Sequence, residues 1–174
     1  MLDKILLSSL LIFTLSEADD SFSSERFIGI EVGYSSADTT SAINNKGSSK
    51  DIEYGLRIGA QNEEWRTTVS LNFYGDKEKE YKRVMLEFDR FVWESLYKTD
   101  NIVFKPYLGG HIGYMNYTDE GGIDESGLLY GAQAGLAWNV LDEVDFDLSY
   151  RYSASDLSYV DDIGSFVFGA NYIY

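Results

Sequence analysis

From Arg26 to the last residue the chain repeats one pattern: an apolar side chain, a polar or small one, then an apolar one again. Successive side chains on a strand point to opposite sides, so this period of two marks strands with two chemically different faces. In RFIGIEVGY (26–34), Ile28, Ile30, Val32 and Tyr34 share one face, while Phe27, Gly29, Glu31 and Gly33 share the other. The same reading applies to DIEYGLRIGA (51–60), WRTTVSLNFY (65–74), RVMLEFDR (83–90) and FKPYLGGHIGYMNY (104–117). It applies again to LLYGAQAGLAWN (128–139), VDFDLSYRY (144–152) and SFVFGANYIY (165–174). A chain with eight such runs is confined to all-β architectures.

The connections alternate in length. Residues 35–50, 75–80, 117–126 and 153–162 are polar and mostly long, whereas 61–64 (QNEE) and 140–143 (VLDE) are short. The stretch from Phe91 to Asn101 is longer than this rhythm and is read as a strand extension followed by a turn. Long loops on one side and tight turns on the other belong to an eight-stranded antiparallel up-and-down transmembrane β-barrel. Past residue 20 no apolar run approaches the ~18 residues that a spanning helix requires, which excludes a helical membrane protein.

Three features turn the apolar face toward lipid. The polar faces mix charges with Gly29, Gly33, Gly55, Gly59, Gly109, Gly131 and Gly135, as a cramped lumen requires when large and small side chains share it. The aromatics gather at strand ends, with Trp65, Trp93 and Trp138 near one rim and Tyr34, Tyr54, Phe73, Tyr114, Tyr130 and Tyr152 near the other. The last residues form a strand, and closure matters because an unpaired edge in hydrocarbon leaves backbone groups unsatisfied.

Before the first run, residues 1–18 read as a signal peptide: Lys4, an apolar stretch from Ile5 to Leu15, then the small residues Ser16 and Ala18. The barrel domain is therefore 19–174. The chain has no cysteine, so thiolate chemistry is absent. A formal net charge of -15 excludes nucleic acid as a partner.

The ending GANYIY, with Gly169, Tyr172 and Tyr174, resembles the C-terminal insertion signal of bacterial outer-membrane barrels, although Val167 stands where that signal has a polar residue. Through KPYLGGHIGY and YGAQAGLAW the rest resembles the small OmpA/OmpX-type barrels. The resemblance implies a Gram-negative outer-membrane location and a monomer in contact with lipid and lipopolysaccharide. It also implies assembly by the barrel-assembly machinery through the last strand.

The charges on the polar faces are Glu31, Glu53, Glu87, Asp89, Asp145 and Asp147 against Arg57, Arg66, Arg83, Lys105 and Arg151, with His111 among them. Eight strands leave an interior just wide enough for side chains, so these residues are read as a structural network of salt bridges. Arg57, Arg66 or Arg151 is expected against the neighbouring acids Asp145 and Asp147. The alternative is a narrow porin-like channel for ions or small solutes.

His111 is read as a structural histidine. The His-x-Ser element of outer-membrane lipid A deacylases is missing, since Ile112 and Gly113 follow, and an omptin-like site would sit at the rim of a larger barrel. The acidic loop DEGGIDE lacks calcium-loop spacing. No catalytic, cofactor or metal site is assigned. A soluble lipocalin-type barrel, with the same aliphatic residues lining a ligand cavity, is the remaining rival.

Overall fold

A computed structural model describes residues 24–40, 46–75, 79–93, 97–98, 102–119, 122, 124–141 and 143–174. All regular structure among them is strand: β1 (Glu25–Thr40), β2 (Lys46–Gln61), β3 (Trp65–Gly75), β4 (Lys79–Phe91), β5 (Tyr97–Lys98), β6 (Val103–Asp119), β7 (Asp124–Leu141), β8 (Val144–Ser155) and β9 (Val160–Ile173). The segment expected to be a signal peptide lies outside the described residues.

Each long strand pairs antiparallel with its neighbours, in the order β4-β3-β2-β1-β9-β8-β7-β6. Pairing of β4 with β6, from Lys79↔Asp119 to Phe91↔Tyr107, closes the sheet on itself. The seam between first and last strands runs from Phe27↔Ile173 to Thr39↔Val160. An eight-stranded barrel results, with no free edge in its wall. β5 is a two-residue strand, pairing Tyr97 and Lys98 with Phe104 and Val103; β4 ends at Phe91, and residues 94–96 and 99–101 of the expected extension plus turn lie outside the described residues.

The faces are inverted relative to a soluble protein. Ile30, Leu56, Leu108 and Phe166 are 63%, 56%, 59% and 62% exposed on the outer wall, while Arg83 and Arg151 are 1% and 2% exposed inside. A lipocalin-type arrangement would reverse these values, and the geometry overturns that rival. Trp65, at the turn end, stands beside Arg90, whose guanidinium lies 5.1 Å from the ring centre. Phe104, Trp138, Phe146 and Phe168 form a chain of ring contacts, each near 6 Å, around the same end of the wall. At the loop end Tyr150 and Phe166 meet at 4.9 Å.

Two expectations are corrected. The loop read over 35–50 is mostly strand: β1 continues to Thr40 and β2 begins at Lys46, with Ser36↔Lys50 and Asp38↔Ser48 in register. Backbone pairing does not require apolar side chains, so the polar composition there hid the ladder. The loops at 75–80, 117–126 and 153–162 shrink in the same way.

The interior is not charged throughout, either. Its loop end is an apolar cluster of Tyr74, Tyr81, Met115, Tyr117, Leu129, Leu157, Val160 and Ile163. Tyr74 and Tyr81 stack with ring centres 4.4 Å apart. A smaller cluster of Phe91, Tyr107 and Ala137 lies toward the turn end.

Candidate functional site: a charge ring across the lumen

Between these clusters the barrel's charges meet. β1 contributes Glu31, β2 Arg57, β3 Arg66, β4 Glu87 and Asp89, β7 Gln133, and β8 Asp147 and Arg151. Each occupies an inward position of its strand, and each is buried.

Their contacts form a cycle. Arg57 Nη1 lies 3.5 Å from Glu31 Oε2, and Arg151 Nη1 lies 3.2 Å from Glu31 Oε1. Arg151 Nη2 reaches Glu87 at 3.0 Å. Gln133 Nε2 donates to Glu87 at 3.1 Å and to Asp89 at 2.6 Å. Arg66 binds Asp89 at 2.9 Å and Asp147 at 3.3 Å, and Arg57 completes the circuit to Asp147 at 2.8 Å. No arginine in the cycle bonds a single acid, so removing one leaves two carboxylates short of a partner.

Hydrogen bonds from neutral groups fill in around it. Ser70 donates to Glu87 at 2.6 Å, Tyr107 to Asp147 at 3.2 Å, and Asn72 to Glu31. The Arg66 guanidinium also lies 4.4 Å from the centre of the Tyr107 ring, so its face is covered as well as its edge. Above the ring Glu53 accepts from Arg83 at 2.6 Å and from Ser35 and Tyr81, each at 2.8 Å.

Glycines make the crossing possible. Glu31 pairs across the sheet with Gly55 on one side and Gly169 on the other. A Cβ at Gly169 would collide with Arg57 Nη1 and come within 2.9 Å of Asp147 Oδ2. At Gly109 it would collide with Asp89. A long side chain needs a bare neighbour to lie flat and reach its partner. Gly169 thus has a packing role beside the one implied by its place in the C-terminal signal. Tyr172 and Tyr174 of that signal point outward, at 49% and 71% exposure.

Five expected members stand apart from the ring: the Glu53–Arg83 pair above it, and Asp145, Lys105 and His111. Asp145 accepts from Gln61 at 2.6 Å and from Asn139, so arginines meet only one of the two neighbouring aspartates, Asp147. Lys105 is half-buried at the turn-end mouth, its Nζ 5.7 Å from the Phe91 ring centre. Glu25, Gln61, Phe91, Lys105, Asn139 and Asp145 help line a cavity of about 470 Å³ that opens there.

His111 Nε2 lies 2.8 Å from Ser153 Oγ. That spacing suits a nucleophile and its base, but among the described residues Nδ1 has no hydrogen-bond partner, and Ser153 is wholly buried.

Gln133, Asn72, Ser70 and Tyr107 share the inward parity of the charges, so they were visible in the pattern, but neutral residues do not announce ion-pair partners. Ser35 lies in a stretch whose polar composition reads as loop, and Tyr81 lies just before the alternating run RVMLEFDR.

Residues 5–173 match the outer membrane protein beta-barrel domain family. The chain belongs to that family, and it is a bacterial outer-membrane protein. Among solved structures it is similar to Neisserial surface protein A (NspA), at 17% identity and a TM-score of 0.64 over 87% of this chain and 99% of that one. It is also similar to OprH of P. aeruginosa, at 19% identity and 0.60 over 86% and 99%. The third is Ail, the attachment invasion locus protein of Yersinia pestis, at 19% and 0.56 over 88% and 100%. At these identities the likeness is one of fold. No curated protein matches the chain.

Arg151→Met is expected to destabilise the folded barrel by about 3–5 kcal/mol, the cost of leaving buried carboxylates without their cation. Adding Glu87→Gln should recover part of the loss, giving a coupling of about 1–3 kcal/mol in a double-mutant cycle measured by reversible denaturant unfolding in detergent or lipid.

Proposed function

We propose that this protein is a monomeric outer-membrane barrel with a structural or surface-interaction role, that its lumen charges hold the wall together, and that it performs no catalysis. The closed cycle from Arg57 through Glu31, Arg151, Glu87, Gln133, Asp89, Arg66 and Asp147 carries this reading. Six of the eight wall strands are absorbed in one another's charges, and an ion would have to break bonds to pass. The apolar cluster at the loop end adds a dry layer above the ring. Lipid and lipopolysaccharide meet the outer wall, and the barrel-assembly machinery engages the last strand.

The alternative, a narrow channel, draws on the cavity of about 470 Å³ at the turn end, which gives solvent a way in as far as Gln61, Lys105 and Asp145. Conductance across a planar bilayer separates the two. The purified barrel should show no sustained open level above the bare membrane. A steady, repeatable conductance step would favour the channel.

We further propose that residues 1–18 are removed as a signal peptide. The intact mass of the protein isolated from the outer membrane should then correspond to 19–174, and a mass that retains the first residues would contradict cleavage after Ala18.

A further inference from the structure

At the loop end of the lumen the connection between β8 and β9 turns inward. Leu157, 6% exposed, turns inward and joins Tyr74, Tyr81, Met115 and Leu129 in the apolar cluster. Val160 and Ile163 follow it inside, and Tyr159 packs against the same cluster. The flanking Asp156 and Ser158 stay exposed.

Asp156 and Ser158 of this inward turn are fastened to β7. Asp156 N donates to Leu128 O at 3.1 Å, extending the β7–β8 ladder by one step. The Asp156 carboxylate accepts from Leu128 N at 2.5 Å. Ser158 N donates to both Glu125 oxygens, at 3.0 and 3.1 Å. Leu157 N is satisfied by Ser155 Oγ at 3.0 Å.

Gly127 lies between the two anchor points on β7. A Cβ there would collide with Asp156 Oδ1 and come within 2.7 Å of Leu157 Cδ1. The absence of a side chain at Gly127 lets the loop lie down against the strand. Carboxylates holding backbone N–H groups on both sides of one inserted leucine fix the loop in place rather than merely covering the opening.

We propose that Asp156–Val160 is a latched lid, with Leu157 as its stopper and Asp156 and Glu125 as its latch, sealing the lumen from the cell exterior. The seal is separate from the charge ring, which lies deeper. The lid rests on the reading of a non-conducting barrel and adds a second barrier to it.

Because the chain has no cysteine, a single introduced thiol reports without background. Met115→Cys places it beneath the lid, Leu129→Cys is a second reporter should the first variant not fold, and Thr118→Cys is an exposed reference. Folding of each variant is checked by its gel migration with and without boiling. With a water-soluble maleimide, the buried thiols should react about a hundredfold more slowly than Thr118→Cys, as for a site reached only through local opening.

Asp156→Ala should raise the buried rate about tenfold through loss of the charge-assisted hydrogen bond. Asp156→Asn, which keeps an acceptor oxygen, should largely preserve protection. Buried thiols that react as fast as the reference would overturn the lid. So would slow labelling that Asp156→Ala leaves unchanged, since something other than the latch would then shield the thiols. Steady conductance together with slow, Asp156-dependent labelling would remove the non-conducting reading and leave the lid standing.

Discussion

In the hydrocarbon of a bilayer no water is available to pair with a backbone N–H or C=O, and each unsatisfied group costs several kcal/mol. A sheet can exist there only if its two edges find one another, and the rest of this structure follows from that closure. β4 meets β6 and β1 meets β9 through long, nearly unbroken registers. The last residues take part: Ile173 N and Tyr174 N donate to Glu143 O and Arg26 O at 2.8 and 2.9 Å. Once the wall is closed, alternate side chains must face either lipid or an enclosed lumen.

Lipid admits Ile30, Leu56, Leu108 and Phe166 without penalty, which leaves the enclosed side to supply specificity. Nonpolar filling alone would pack the lumen without fixing one strand's register against the next. The charge ring ties β1, β2, β3, β4, β7 and β8 to one another in a single arrangement, because a slip of one residue would carry a carboxylate or guanidinium out to lipid. Buried ion pairs are a weak source of net stability against an apolar replacement. On the proposed reading their effect is to make alternative registers costly. Gly55, Gly109 and Gly169 belong to the same solution, since Glu31, Asp89 and Asp147 each lie beside a neighbouring strand position that presents no side chain.

Much of this was legible in the residues. Period two gave the faces, and the parity of Glu31, Arg57, Glu87, Asp147 and Arg151 placed the charges inside. Parity could not say which acid meets which arginine, because those partners come from strands far apart in sequence. It directed arginine to Asp145 as well as to Asp147, whereas Gln61 and Asn139 hold Asp145. The apolar loop-end cluster is not evident from the pattern although Met115, Tyr117 and Leu129 carry inward parity, since a lumen is expected to be polar. Leu157 could not be anticipated: it lies in a short polar connection, and only the anchoring of Asp156 and Ser158 on β7 turns it inward.

The inverted arrangement is the claim on which all else rests, and nitroxide labels on the outer wall test it most directly. Single cysteines at Ile30, Leu56, Leu71, Val84, Leu108 and Leu148 distribute labels around the barrel at positions exposed in the structure. In lipid bilayers every label should relax strongly with oxygen, which dissolves in hydrocarbon, and weakly with a water-soluble nickel chelate. Labels shielded from both relaxants, or reached chiefly by the nickel chelate, would mean that these side chains do not face lipid, and the account would fail at its foundation.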